Sequence, residues 1–190
     1  MSRSLRPETG DEVNGGEGVW LMQAGGNEEL YCPRMTSLQL PLDYAAIERI
    51  LPHRYPFLLV DRITELDTDR RIVGLKNVSL NERYLWHGPG QDPVLPATIL
   101  TEAIAQVGAI LILSKPENRE KLIFFMGIDR VRYRRPVRAG DVVEIEAVVK
   151  RLRSRMGVLS GAARVNGKVV CDGTMTFALG PRGAQSSSEG

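Results

Sequence analysis

The sequence has few of the residues that build metal sites, disulfide frameworks or imidazole clusters. It contains 2 cysteines and 2 histidines among 190 residues. Cys32 and Cys171 are too few for a disulfide framework, and no CxxC pair or Cys/His cluster suggests a bound metal. If the chemistry requires an imidazole, His53 and His87 are the two candidates.

The net charge of the chain is also small. The formal net charge is +2, which does not by itself point to a nucleic acid, and we expect neither nucleic-acid binding nor membrane insertion. With 43% hydrophobic and 25% charged residues, the composition is that of an ordinary globular protein. A chain of this length predicts one domain with residues to spare.

Both ends of the chain lack the apolar periodicity of a folded domain. Residues 1–34 are rich in Gly, Glu and Asn and lack the apolar segment of a signal peptide. We expect them to be disordered or loosely attached, and an alternative is that translation starts at Met35. Residues 181–190 predict a flexible tail, which leaves 35–180 as the folded domain.

The stretch 97–113 is apolar almost all the way round and predicts a buried helix. Its length would be about 26 Å. Its polar exceptions lie on one stripe and are Thr98, Thr101, Glu102 and Gln106. Because two of them interrupt the middle of the stretch, it is a core helix rather than a membrane span. A carboxylate buried on such a helix needs a partner or a function.

The rest of the chain predicts one short helix and about six strands. Asp43 is placed to cap a helix with the sequence YAAIERIL, and Asn166-Gly167 predicts a tight hairpin. The predicted strands are 57–63, 70–78, 122–133, 141–153, 156–165 and 168–179. A long irregular connection, 77–93, precedes the core helix. This order predicts an α+β fold in which a curved antiparallel sheet wraps around one long central helix.

Five motifs carry a resemblance to a known family. They are LPHRYPFLLVDRI at 51–63, KNVSLNE at 76–82, HGPG at 87–90, PVLPATILTEAIAQ at 93–106 and GIDRVRYRRPVRAGD at 127–141. Together they closely resemble bacterial (3R)-hydroxyacyl-acyl carrier protein dehydratases of the FabZ type, over about residues 40–178. The resemblance implies the hot-dog fold and dehydration of 3-hydroxyacyl thioesters to trans-2-enoyl thioesters in fatty-acid (lipid) biosynthesis.

The same resemblance implies the setting of the reaction. It predicts a cytoplasmic enzyme that uses no metal or organic cofactor, because phosphopantetheine arrives on the acyl carrier protein. It also predicts a homodimer in which the histidine of one subunit faces the acidic residue of the other. The dimers are expected to form a hexamer, as a trimer of dimers.

The chemistry explains why an imidazole and a carboxyl group are needed. Elimination of water removes a weakly acidic proton next to a thioester and protonates a poor leaving group. An imidazole, with an ordinary pKa near ~6.5, suits the first step, and a carboxyl group the second. The resemblance therefore assigns His87 as base and Glu102 as acid partner. Amides at a helix N-terminus stabilise charge on the thioester oxygen. The expected substrate contacts are Gly90, Ala97, Thr98, Gln106 and Phe124.

The sequence departs from the family pattern at the predicted site. Where the family has Gly-His-Phe-Pro-Gly, this chain has Trp86-His87-Gly88-Pro89-Gly90. An alignment without gaps puts Gly88 in the catalytic position. An alignment with two small shifts keeps His87 in a His-x-Pro-Gly motif, and we prefer it because loops tolerate such changes. Ala97 also replaces the glycine that normally begins the helix.

Arginines are concentrated after the core helix. An acidic carrier protein would be attracted to them, although they are also typical of a solvated strand and turn. The predicted docking residues are Arg130, Arg132, Arg134, Arg135 and Arg138, and the first three alternate along one face. Of the other residues, we expect His53 to have a structural role between a loop and the sheet. We expect Phe124, Phe125 and Met126 to lie in the core, with one face beside an acyl tunnel.

Two other functions remain open from the sequence. One is a hot-dog thioesterase that acts on acyl-CoA or acyl carrier protein, although the His-x-Pro-Gly and Glu-Ala-x-Ala-Gln motifs speak against it. The other is a non-catalytic hot-dog subunit that binds acyl carrier protein and pairs with an active partner. The altered histidine loop, residues 86–90, and Ala97 keep this second alternative open.

Overall fold

A computed structural model describes residues 38–182, which form one long helix and a large antiparallel sheet. The helices are α1 (Tyr44–Ile50) and α2 (Ala97–Leu113), and a short 3₁₀ turn spans Pro116–Asn118. The strands are β1 (Arg62–Asp67), β2 (Arg71–Asn77), β3 (Val94–Leu95), β4 (Lys121–Tyr133), β5 (Val137–Arg138), β6 (Val142–Arg153), β7 (Met156–Val165) and β8 (Lys168–Pro181). The predicted N-terminal extension lies outside the described residues, as do 183–190 of the predicted tail.

The main sheet has six strands in the order β1-β2-β6-β7-β8-β4, and every neighbouring pair is antiparallel. Strands β3 and β5 form a separate short pair beside it. All six strands of the main sheet contact α2. The predicted α+β arrangement is therefore confirmed. Within the described residues, neither helix is long and apolar enough to cross a membrane.

Helix α2 occupies the predicted range and is the centre of the hydrophobic core. Thirteen of its 17 residues are buried. Two glycines of the sheet allow this close approach, because a methyl group at Gly74 would meet Val107 and one at Gly161 would meet Ile104. Because these two positions carry no side chain, the sheet backbone lies close to the helix there.

Local signals in the sequence account for α1 and for the last hairpin. The carboxyl group of Asp43 accepts a hydrogen bond from the amide of Ala46 at 2.8 Å, as the capping prediction required. Asn166 and Gly167 both have positive φ, 49° and 74°, which is the conformation of a two-residue type I′ turn. That turn connects β7 to β8.

The predicted strand 57–63 is wrong over most of its length. Residues 57–61 are irregular, and β1 begins at Arg62. The physical reason is a competing partner: the amide of Leu59 donates to the side chain of Gln106 instead of to a neighbouring strand. Leu59 and Val60 are nevertheless buried, which explains the apolar run.

The expectation that the aromatic pair and Met126 lie in the core is also wrong for the described chain. Phe124, Phe125 and Met126 are 50%, 42% and 62% exposed. They lie on β4, which is the last strand of the sheet and pairs only with β8. One long edge of β4 therefore has no neighbouring strand among the described residues.

Candidate active site

Gln106 joins helix α2 to the irregular segment that precedes β1. Its side-chain amide donates to the carbonyl of Phe57 at 2.8 Å and to Oε1 of Glu102 at 2.9 Å. Its side-chain oxygen accepts from the amide of Leu59 at 2.9 Å. The residue is 1% exposed, so these contacts are not shared with bulk water. These hydrogen bonds fasten residues 57–59 to the helix, and they occupy the side chain that we expected to contact the substrate.

Glu102 lies one turn before Gln106 and lines a cavity of about 190 Å³. The cavity follows three turns of α2, past Ala105, Gln106, Ala109 and Leu113. The remaining lining residues come from the segment before β1 and from β4 and are Leu51, Pro52, His53, Phe57, Ile123 and Phe125. Most of the lining is apolar, and Glu102 contributes its one carboxyl group, so the cavity suits an apolar chain whose polar end lies beside Glu102.

His53 lies directly beside that carboxyl group. Its Nε2 is 3.7 Å from Oε1 of Glu102, while its Nδ1 is buried without a hydrogen-bond partner among the described residues. Burial lowers the pKa of His53, the charge of Glu102 opposes this shift, and Arg54 adds to it. His53 is in a loop as expected, and its polar contact is with Glu102 of α2. No spacing in the sequence links it to Glu102.

The predicted base, His87, lies in a different loop. Trp86 and Val94 exchange two backbone hydrogen bonds, of 2.9 and 3.1 Å, which close the loop between them. Inside it, the amide of Gln91 donates to the carbonyl of Gly88, and Gly90 has a φ of 67°, as in a type II turn. His87 is exposed and does not line the Glu102 cavity of its own chain.

Two residues around His87 that depart from the family pattern, Trp86 and Gly88, pack against each other. Gly88 is buried, and a side chain there would begin 2.6 Å from the ring of Trp86. The Trp86 ring therefore fills the space into which a larger residue at 88 would project. In this loop Trp86 precedes His87, whereas in the family pattern Gly-His-Phe-Pro-Gly the aromatic residue follows the histidine.

The N-terminus of α2 carries the predicted amide donors. Pro96 is the N-cap of the helix, and its side chain makes no capping hydrogen bond. It therefore does not accept a hydrogen bond from the first-turn amides of Ala97 and Thr98. Thr101 is buried, and its hydroxyl is 2.8 Å from that of Tyr133. Phe124, a predicted substrate contact, lies over Gly180 rather than in the Glu102 cavity.

Three of the predicted docking arginines share the outer face of the sheet. Arg130 and Arg132 line a shallow groove of about 430 Å³, and Arg134 binds Asp172, another lining residue, at 2.7 Å. A β-bulge interrupts the expected alternation, and Arg130 adopts a φ of 52° within it. Arg135 is exposed, and Arg138 lies 3.6 Å from Asp92 near the histidine loop.

Comparison with solved structures supports the fold. A subunit of the dehydratase heterocomplex ApeI:P from Xenorhabdus doucetiae covers 76% of this chain and 94% of its own with a TM-score of 0.64 and 21% identity. A mutant thioesterase from Pseudomonas aeruginosa covers 75% of this chain and 96% of its own with a TM-score of 0.57 and 19% identity. At these identities the likeness shows the hot-dog fold alone.

Comparison of sequences is more specific. The FabA-like domain family matches residues 51–174. Proteins named 3-hydroxyacyl-[acyl-carrier-protein] dehydratase FabZ from Bacillus velezensis and Bacillus subtilis are each 49% identical over 140 residues, which is 73% of this chain and 99% of theirs. One from Thermomicrobium roseum is 48% identical over 134 residues, 70% of this chain and 89% of its own. The chain therefore belongs to the FabA-like family and, within it, to the FabZ dehydratases.

Proposed function

We propose that this protein dehydrates (3R)-3-hydroxyacyl-acyl carrier protein to trans-2-enoyl-acyl carrier protein in fatty-acid biosynthesis. The observation that carries the proposal is the carboxyl group of Glu102, fixed by Gln106 at an apolar cavity that follows α2. A bound acyl chain would extend along the cavity and leave its hydroxyl-bearing carbon beside Glu102. The names of the FabZ relatives support the same reaction.

The proposed mechanism is a two-group elimination. His87 of one subunit takes the proton from C2, the carbon next to the thioester. The electron pair of that bond forms the C2–C3 double bond, and the hydroxyl group leaves C3 as water after it receives a proton from Glu102 of the other subunit. The amides of Ala97 and Thr98 stabilise the charge that develops on the thioester oxygen. A proton then passes from the imidazole to the carboxylate through solvent and restores both groups.

A second copy of the chain would complete this site along β4. Met126 and Ile128 are 62% and 52% exposed on a 13-residue edge strand, and a long apolar edge pairs readily with another strand. Phe125, on the same strand, lines the Glu102 cavity, so the edge and the cavity are contiguous. Pairing of two β4 edges would bring the partner's histidine loop towards Glu102. Such dimers would assemble further, as a trimer of dimers.

Sedimentation velocity tests the dimer. Changing Met126 and Ile128 together to Lys should shift the protein towards the monomer, because two charges on each β4 edge repel their counterparts. Val142→Lys is the matched control, since Val142 is 52% exposed on β6, an interior strand of the sheet. A double variant that sediments like the parent would rule out β4 as the interface.

The proposal extends to the carrier protein, the cellular location and the absence of a cofactor. An acidic carrier protein would dock on the exposed arginines, and the reaction would take place in the cytoplasm by acid–base chemistry, without a metal or organic cofactor. Changing Arg132, Arg134 and Arg135 together to Glu should weaken turnover of carrier-bound substrates and spare small soluble thioesters. Equal losses on both substrates would contradict docking, and inhibition by a chelator would contradict cofactor independence.

A product assay tests the reaction. Purified protein is incubated with 3-hydroxyacyl and enoyl carrier-protein substrates, and the masses of the acyl groups are followed. Loss or gain of one water identifies the dehydratase, since the reaction is reversible. Release of free acid would identify a thioesterase instead, and binding without turnover a non-catalytic subunit.

Substitution and subunit mixing test the assigned residues. His87→Ala and Glu102→Gln should each lower turnover by roughly two to four orders of magnitude, as expected for a positioned base or acid. After subunit exchange between the two inactive variants, each mixed dimer would hold one intact site and one site damaged twice, so part of the activity should return. Near-normal turnover by His87→Ala would exclude it as the base. No recovery despite demonstrated exchange would exclude a shared site.

A further inference from the structure

His53 is the second imidazole of the chain, and the proposed elimination does not use it. It lies in the segment between α1 and β1, part of which Gln106 fastens to α2. Its ring packs at 5.9 Å from the ring of Phe57, and both rings line the Glu102 cavity. A polar ring within this apolar cavity lining, with its Nε2 facing a carboxyl group, needs an explanation beyond packing.

The two oxygens of Glu102 have different surroundings. Oε1 accepts a hydrogen bond from Gln106 at 2.9 Å and lies 3.7 Å from Nε2 of His53. Oε2 has no hydrogen-bond partner among residues 38–182. One oxygen is thus flanked by two nitrogen groups of the protein, and the other is available to a ligand in the cavity.

The surroundings of His53 also fix which of its nitrogens carries the proton. Nδ1 is buried without a partner, and a buried N–H without an acceptor is costlier than a buried lone pair. The neutral imidazole therefore carries its proton on Nε2, which faces Oε1. The charged groups around the ring are Glu102 and Arg54, and Arg54 lies 3.4 Å from Glu48 on α1.

We propose that His53 is a positioning residue for Glu102. Its Nε2–H and the amide of Gln106 both hold Oε1, so that Oε2 points to the substrate hydroxyl. When the carboxyl group is protonated, two donors at Oε1 exclude the proton from that oxygen and leave it on Oε2, where it can be transferred. The 3.7 Å separation would shorten when substrate closes the cavity, as catalytic hydrogen bonds do. This inference rests on the proposed role of Glu102 as acid.

Two substitutions of His53 separate positioning from proton transfer. His53→Gln keeps an N–H donor at similar reach but cannot titrate near neutral pH, whereas His53→Leu keeps the size and removes the donor. On a carrier-bound 3-hydroxyacyl substrate, His53→Leu should lower kcat roughly 10- to 100-fold, the scale of one hydrogen bond to a charged group, with KM nearly unchanged. His53→Gln should stay within a few-fold of the parent.

The pH profile supplies a readout that a merely structural residue would not move. Loss of a donor to the carboxylate favours the protonated acid, so the alkaline limb of kcat should move to higher pH in His53→Leu. It should stay in place in His53→Gln. Tyr55→Ala is the matched control, because Tyr55 is 80% exposed in the same segment and should change neither kcat nor the limb. If His53→Leu does not fold, His53→Asn replaces it, since its shorter amide cannot reach Oε1.

Two results would overturn the inference. If His53→Gln is as inactive as His53→Leu, the imidazole itself transfers the proton. If both variants behave like the parent, Oε1 does not need this donor. Glu102→Gln in the same assay separates these results from failure of the proposed function. If Glu102→Gln is active, Glu102 is not the acid, and the proposed function fails. If Glu102→Gln is inactive and His53→Leu behaves like the parent, only the positioning role of His53 fails.

Discussion

Gln106 holds the candidate site together, and its removal should cost much of the stability of the protein. Gln106→Met keeps the length of the side chain and deletes its three hydrogen bonds, to Phe57, Leu59 and Glu102. Methionine adapts its shape to the space that is left, so loss of hydrogen bonding rather than a cavity dominates the result. The change therefore isolates the link between α2 and the segment before β1.

The three lost bonds are not equivalent. Leu59 is buried, and its amide is left without an acceptor, which costs about 1–3 kcal/mol. The carbonyl of Phe57 and the carboxylate of Glu102 belong to partly exposed residues, so water replaces part of each bond and the loss is about 0.5–1.5 kcal/mol apiece. The free energy of unfolding should fall by roughly 2–6 kcal/mol in total.

Urea unfolding at one protein concentration measures this loss, since dimer dissociation makes stability concentration-dependent. Ser114→Ala is the matched control, because Ser114 is buried at the end of the same helix and makes one local bond of 2.9 Å, to the carbonyl of Leu111. It should lose about 1 kcal/mol or less. If Gln106→Met also loses less than about 1 kcal/mol, the segment before β1 is not held by Gln106.

Three further predictions concern the core, a buried ion pair and pH. Gly161→Ala should destabilise by about 1–3 kcal/mol, because the new methyl group meets Ile104 of the central helix; a melting temperature equal to that of the parent would contradict this. Lys76→Met should cost about 3–5 kcal/mol by stranding Glu82, its partner at 2.6 Å, and adding Glu82→Gln should restore most of the loss in urea titrations; a single variant as stable as the parent would refute the pairing. Because burial lowers the pKa of His53, its unfolded imidazole takes up a proton first as pH falls below 6.5, so stability should decline there and His53→Gln should flatten the decline; identical slopes in urea titrations between pH 5 and 8 would contradict it.

The sequence alone determined the elements whose signals are local. The range 97–113 was sufficient to place α2, because a helix that is apolar on all sides has few alternatives to the core. Asp43 and the Asn166-Gly167 pair fixed one helix start and one hairpin through capping and turn conformations that depend on adjacent residues only. The family motifs added the reaction and its expected groups.

The tertiary structure decided the features that depend on distant partners. Residues 57–61 have the composition of a strand, yet Gln106, 47 residues away from Leu59, takes the hydrogen bond that would have joined them to a sheet. The same link brings His53 to Glu102. The apolar run 122–126 at the start of β4 is equally typical of a strand covered by its own chain or by another. Only the strand order, which puts β4 at the edge of the sheet, shows that its apolar side chains are uncovered within one chain.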